Sequence, residues 1–203
     1  MILGGGLLVL FSLGLAYPYL KARLVRFAAG NHAYGAAQIE IGDITAAFYG
    51  VYLKAFGLLI LCFGLAGAIA GLTGAYKGMS GGFSVGMGVF MVAAYAGYLL
   101  AYAYVHAKST NVTWNAMTMG PLSFACALRG RDLAAIYLVN IIAVILTLGL
   151  ATPWAAVRTM RYRASKMTLV AAGSLGDFVA NEAGNVSATG EEVGEMFGID
   201  FGL

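Results

Sequence analysis

The chain has 203 residues, a formal net charge of +3, 61% hydrophobic residues and only 10% charged ones. A soluble domain ordinarily carries about 25% charged residues, and the apolar residues here run in blocks longer than a water-filled surface tolerates, so a typical soluble enzyme is excluded. One membrane domain over residues 1–166 with a short acidic, Gly-rich soluble tail over 167–203 fits this length: all twelve Lys and Arg lie at or before Lys166, and six of the nine acids lie after it.

The first apolar block, Ile2 to about Leu20, reads as a span. It lacks the basic start and small-residue cleavage site of a signal peptide. Lys21, Arg23 and Arg26 with Phe27 suggest an amphipathic helix at the membrane surface. Around Gln38-Ile39-Glu40-Ile41, alternation between Gly35 and Gly42 predicts a short strand or hairpin. The second block runs from about Ala46 to Ala75 and the third from about Gly82 to Ala107. Each exceeds the roughly 20 helical residues that cross a ~30 Å hydrocarbon layer. Small residues spaced four apart (Gly67 and Gly71, Gly74 and Gly78, Gly82 and Gly86, then Ala93 and Gly97) predict a face for close helix packing, where dispersion replaces the missing hydrophobic drive. A polar loop follows over Lys108–Arg131. The fourth block, about Leu133 to Val157, ends in Pro153-Trp154 and then Arg158, Arg161, Arg163 and Lys166. Asp132 at its mouth reads as a helix N-cap.

The chain repeats itself. Ser12-Leu13-Gly14-Leu15-Ala16, Cys62-Phe63-Gly64-Leu65-Ala66 and Thr147-Leu148-Gly149-Leu150-Ala151 are versions of one motif. One constant shift carries Tyr17, Tyr19, Gly35, Tyr52 and Leu53 onto Tyr102, Tyr104, Gly120, Tyr137 and Leu138. Another carries Pro18, Arg23, Arg26 and Phe27 onto Pro153, Arg158, Arg161 and Tyr162. Gly14, Pro18, Gly64, Gly149 and Pro153 are therefore expected to kink or end helices. Arg23, Arg26, Trp154, Arg158 and Arg161 are expected at the lipid headgroups. Asn140 and Thr147 are the candidates for polar bonds between helices.

These motifs carry a family resemblance. Leu148-Gly149-Leu150-Ala151-Thr152-Pro153-Trp154-Ala155-Ala156-Val157-Arg158-Thr159-Met160-Arg161-Tyr162-Arg163 resembles the signature of the YjgN-like proteins, bacterial inner-membrane proteins with a domain of unknown function. Tyr17-Pro18-Tyr19-Leu20-Lys21-Ala22-Arg23 looks like a weaker copy, and Phe48 to Phe56 and Gly176-Asp177-Phe178 are also similar. The resemblance covers the chain to about Ala180. It implies a multi-pass protein of the inner membrane, here the C-terminal portion or a shortened member, and brings no catalytic residues.

The expected fold is an all-α integral membrane protein of about four hydrophobic helices, with internal repeats, interfacial amphipathic helices and short β-hairpins in the polar loops. Basic clusters should face the cytoplasm. With Lys21–Arg26 and Lys108–Arg131 inside, a full fourth crossing puts Arg158–Lys166 outside, against the charge rule. Length favours that crossing. A fourth block bent back at Gly149 and Pro153, an earlier block that does not span, or inverted repeats would remove the conflict.

His32 and His106 lack ligand-spaced partners, Cys62 and Cys126 form no metal pattern, and no nucleophile motif or phosphate loop appears. No catalytic residue, cofactor, metal or nucleic acid is expected. The expected partners are membrane lipids, other membrane subunits or a second copy. The expected role is non-enzymatic and structural or accessory, with a small-solute transporter or channel, its site at the repeat interface, as the alternative.

Overall fold

The computed structural model describes residues 2–12, 14–31, 33–34, 37–72 and 85–173. The elements in chain order are α1 (Ile2–Phe11), α2 (Tyr17–Gly30), β1 (Ala33–Tyr34), β2 (Ala37–Ile41), α3 (Thr45–Leu72), α4 (Val85–Asn115), β3 (Met117–Met119), β4 (Leu122–Cys126), α5 (Gly130–Leu146), α6 (Thr152–Ala164) and β5 (Met167–Ala171). They form two compact units. One comprises Met1–Thr45, Thr113–Ala125 and Thr168–Leu203, the other Ala46–Val112 and Cys126–Met167.

The first unit is organised by a five-stranded sheet in the order β1-β2-β3-β4-β5. The expected hairpin is β1–β2, antiparallel with Tyr34 opposite Ala37. The shift that carries Tyr17 onto Tyr102 carries Ala37–Ile41 onto Leu122–Cys126, and that segment forms a second hairpin, β3–β4, around Gly120 at φ +54°. The two hairpins join through β2 and β3, with Ile39 opposite Met119. The expected soluble tail begins with a sheet strand. Just past β5 the Ala172 amide donates to the Pro121 carbonyl at 2.9 Å, and on β5 the Val170 carbonyl accepts from the Ser123 hydroxyl at 3.4 Å. Gly173 aside, the rest of the tail, with Gly176-Asp177-Phe178, lies outside the described residues. Helix α2 packs on β2, with Ala22 and Ala29 buried seven residues apart on one face.

The second unit holds α3 and α4, the two described helices long and apolar enough to cross a membrane. The fully buried side chains include Phe48 and Leu133, but most buried positions of α3 and α4 are alanines: Ala55, Ala66 and Ala70, then Ala101, Ala103 and Ala107. Small side chains let the helices approach closely. A Cβ on Gly97 would sit 2.6 Å from the Cys62 Cβ, and one on Gly130 would sit 3.1 Å from the Tyr104 Cα. Helix α4 runs on to Asn115, so the expected loop over Lys108–Arg131 is instead the end of a helix followed by a hairpin. The Asn111 side-chain amide bonds the Leu128 backbone reciprocally, both distances 2.9 Å. Short links tie the helices to the strands: residues 42–44 from β2 into α3, Ala116 from α4 into β3, residues 127–129 from β4 into α5, and residues 165–166 from α6 into β5.

The fourth apolar block is not one helix. Helix α5 ends at Leu146, the chain reverses over Thr147–Ala151, and α6 returns along α5. Leu148 and Gly149 take positive φ, +50° and +95°. Every amide of the turn is used: Thr147 donates to Ala143 O, Leu148 to Ile145 O, Gly149 to Val144 O, Leu150 to Thr147 O and Thr152 to Gly149 O, while the Ala151 amide donates to the Thr147 hydroxyl. The expected full crossing is thus replaced by a helical hairpin. At 1.5 Å per residue, its 17- and 13-residue arms are about 25 and 20 Å long.

The first block breaks in the same way. Gly14 has φ +88°, its amide donates to Val9 O at 2.9 Å, Leu15 to Ser12 O, Tyr17 to Gly14 O, and the Ala16 amide to the Ser12 hydroxyl. At the described residues these bonds match those of the turn at Gly149, so the expected single span over Ile2–Leu20 is α1, a turn and α2. Pro18 and Pro153 sit in the first turns of α2 and α6. There a missing N–H costs nothing, so the prolines start helices instead of kinking them. Gly64 lies inside the unbroken α3.

Candidate functional site

Polar side chains inside the helical unit converge on one seam among α4, α5 and α6. Helix α4 contributes Tyr102 and His106, four apart. Helix α5 contributes Tyr137 and Asn140, three apart, and α6 contributes Thr159 and Arg163, four apart. These spacings place each pair on one helix face. Antiparallel packing of α6 on α5 sets Arg163 and Tyr137 at the open end of the hairpin and Asn140 and Thr159 a turn deeper.

At the open end the Arg163 guanidinium lies 2.7 Å from the His106 ring nitrogens and bonds the Tyr137 hydroxyl. The rings of Tyr102, His106 and Tyr137 pack mutually, with centroids 5.7–6.4 Å apart. Deeper in, Asn140, 8% exposed, donates from Nδ2 to the Ala155 carbonyl at 3.1 Å and to the Thr159 hydroxyl at 3.0 Å. That hydroxyl donates onward to Ala155 O at 2.9 Å. Two atoms of the seam are buried without a partner, the Arg163 Nε donor and the Asn140 Oδ1 acceptor.

Thr147, expected to bond a neighbouring helix, serves its own turn. Its hydroxyl donates to Ala143 O at 2.8 Å and accepts from the Ala151 amide. Asp132 is not the N-cap of α5, a position held by Arg129; it lies in the first turn, paired with Arg131 at 3.4 Å and accepting from the Tyr162 hydroxyl at 3.3 Å. A carboxylate there still favours the positive end of the helix dipole.

The expected headgroup residues separate into two kinds. Arg23 and Arg161 are exposed, and Arg158 lies 5.3 Å over the half-exposed Trp154 ring. Arg26 instead holds a partner at the surface, donating to Asp43 at 3.2 Å and to the Thr45 hydroxyl. The Thr45 backbone and side-chain hydrogen bonds, then the Arg26 charge, hold the Asp43 carboxyl below its ordinary range. Of the packing glycines, Gly97 meets Cys62 and Gly86 is buried, Gly67 faces open space and Gly71 is exposed. Gly74, Gly78 and Gly82 lie outside the described residues, as does His32.

Sequence reading singled out Asn140 but passed over Tyr102, His106, Tyr137, Thr159 and Arg163 as a group. The signal was present as polar residues at helical spacing in otherwise apolar runs. A bend at Gly149 and Pro153 was among the alternatives, but the full crossing that length favours does not bring α6 onto α5. Among the described residues no group of His, Cys, Asp or Glu is arranged to hold a metal ion.

No curated protein and no solved structure matches the chain. The profile of a family described as "Bacterial protein of unknown function (DUF898)", which is the YjgN-like family, matches residues 1–196. The chain belongs to that family.

Proposed function

We propose that the protein is a multi-pass component of the bacterial inner membrane with a structural or accessory role, packing against lipids, itself or a larger membrane complex, and that it performs no catalysis of its own. The observation that carries this reading is the tip of the α5–α6 hairpin. Leu148 and Leu150 are 94% and 86% exposed there, beside Ile145 and Leu146, over a turn whose amides are all hydrogen-bonded internally. In water this is a large exposed apolar patch. In lipid it is stable, because no backbone donor of the turn is left without a partner. Helices α3 and α4 give the same argument: only 17% of each apolar window is buried within the fold, where a soluble core helix would be mostly covered. In this reading α3 and α4 cross the bilayer, while α1–α2 and α5–α6 dip in and return. Lys21–Arg26, Lys108–Arg131 and Arg158–Lys166 then share one side, as the charge rule asks. The seam polar groups mostly bond each other across helices, which fits a packing role better than a solute path.

Affinity capture of the tagged full chain from native bacterial membranes, followed by mass spectrometry and native sizing, tests the role. Co-purifying membrane subunits or a homo-oligomer are expected. A detergent-stable monomer that moves a solute in proteoliposomes would overturn the reading in favour of a transporter.

A further inference from the structure

Among the described residues no carboxylate pairs with the Arg163 guanidinium. The ion pairs among the described residues are Arg26–Asp43 and Arg131–Asp132, and Arg163 is in neither. Its partners are the His106 ring and the Tyr137 hydroxyl, neither of them a carboxylate. Its Nε is out of contact with solvent and bonded to nothing. Asp132, the acid at the start of α5, is engaged by Arg131 and Tyr162. A partly desolvated cation without a counter-charge is unfavourable, and exposed neighbours such as Arg161 pay no such cost. Three helices nevertheless converge to orient this side chain: His106 from α4, Tyr137 from α5 and α6 itself.

We propose that Arg163, braced by His106 and Tyr137, binds an oxyanion of the phosphate class. The planar guanidinium fork matches phosphate oxygens in a way that a lysine does not. His106 and Tyr137 take up part of its hydrogen-bonding capacity, and its Nε is left without a partner. The source is either the headgroup of an anionic phospholipid or free phosphate. Arg163 stands at the basic end of α6, two residues from Arg161 and three from Lys166, which is the depth of headgroups in the proposed topology. The lipid arm of the test rests on the membrane reading and the free-phosphate arm does not, so the two fail separately.

The full chain, purified in a neutral detergent, is titrated with phosphatidylglycerol, with a phosphate-free diacylglycerol, and with inorganic phosphate. Thermal unfolding and native mass spectrometry provide the readouts. The first or third ligand is expected to bind the unmodified protein, and diacylglycerol is not. Binding should weaken at least tenfold in Arg163→Gln and less than twofold in Arg161→Gln, which removes the same charge from an exposed position. Binding of phosphatidylglycerol alone assigns a lipid headgroup, and binding of inorganic phosphate assigns a small anion. Equal loss in both variants, no loss in Arg163→Gln, or binding of neither phosphate source overturns the proposal. If Arg163→Gln does not fold, Tyr137→Phe keeps the charge and removes one brace. Affinity several-fold weaker supports the site, and unchanged affinity overturns it.

Discussion

At the scale of single residues, the seam is held by a few bonds whose worth in a membrane is modest. Interhelical hydrogen bonds there average about 0.6 kcal/mol and reach about 1.7 kcal/mol. Asn140 donates two, to Ala155 and Thr159. Asn140→Ala should therefore lower stability by about 1 kcal/mol, read as a shift in unfolding midpoint in detergent. Thr159→Val should lose part of the same energy, and the double variant should cost less than the sum, because the two share a bond. Strict additivity would show that the contact carries no energy. Asn140 was legible in the sequence as a lone amide in an apolar run. Its partners were not, since Thr159 is nineteen positions away and comes within reach only after the chain reverses.

At the scale of elements, one motif has two outcomes. Gly14 and Gly149 sit in turns, whereas Gly64, in the same Gly-Leu-Ala context, continues a helix. Two neighbours explain the difference. Ser12 and Thr147 supply hydroxyls that accept the Ala16 and Ala151 amides, and Pro18 and Pro153 open the next helix. The third copy has Cys62, a far weaker acceptor, and Ala68, a strong helix former. Gly149→Ala should destabilise by about 1–2 kcal/mol, the strain of a left-handed conformation for a residue with a Cβ. Gly64→Ala should be neutral or stabilising by up to about 1 kcal/mol. Comparable losses in both would refute the assignment of the turn. The packing glycines divide similarly. A Cβ at Gly97 collides with Cys62, so Gly97→Ala should cost about 1–3 kcal/mol. Gly67→Ala meets open space and should cost nothing. Thermal unfolding of the pair checks whether α3 and α4 pack through Gly97. The four-residue spacing identified the glycines without telling which of them face a neighbour, because spacing fixes a face and not what lies against it.

At the scale of the whole molecule, the links between helices and strands set the expected topology. Helix α3 leaves from β2, α4 returns into β3, α5 leaves from β4 and α6 returns into β5. Single cysteines at positions 21, 108 and 166, in a chain with Cys62 and Cys126 replaced by alanine, should all react with a membrane-impermeant thiol reagent from the cytoplasmic side, and a cysteine at 148 from neither side. Labelling of 166 from the opposite face to 108 would mean that α5–α6 crosses, and the paired-return topology would fall. The sequence by itself determined the apolar character of the chain, its repeats, the basic clusters flanking its apolar blocks, the first hairpin and the family, because those depend on composition and local spacing. Tertiary structure decided the union of two distant hairpins in one sheet and the seam around Arg163. Each depends on contacts between residues far apart in the chain, and a local pattern states which face is polar but not which helix will meet it.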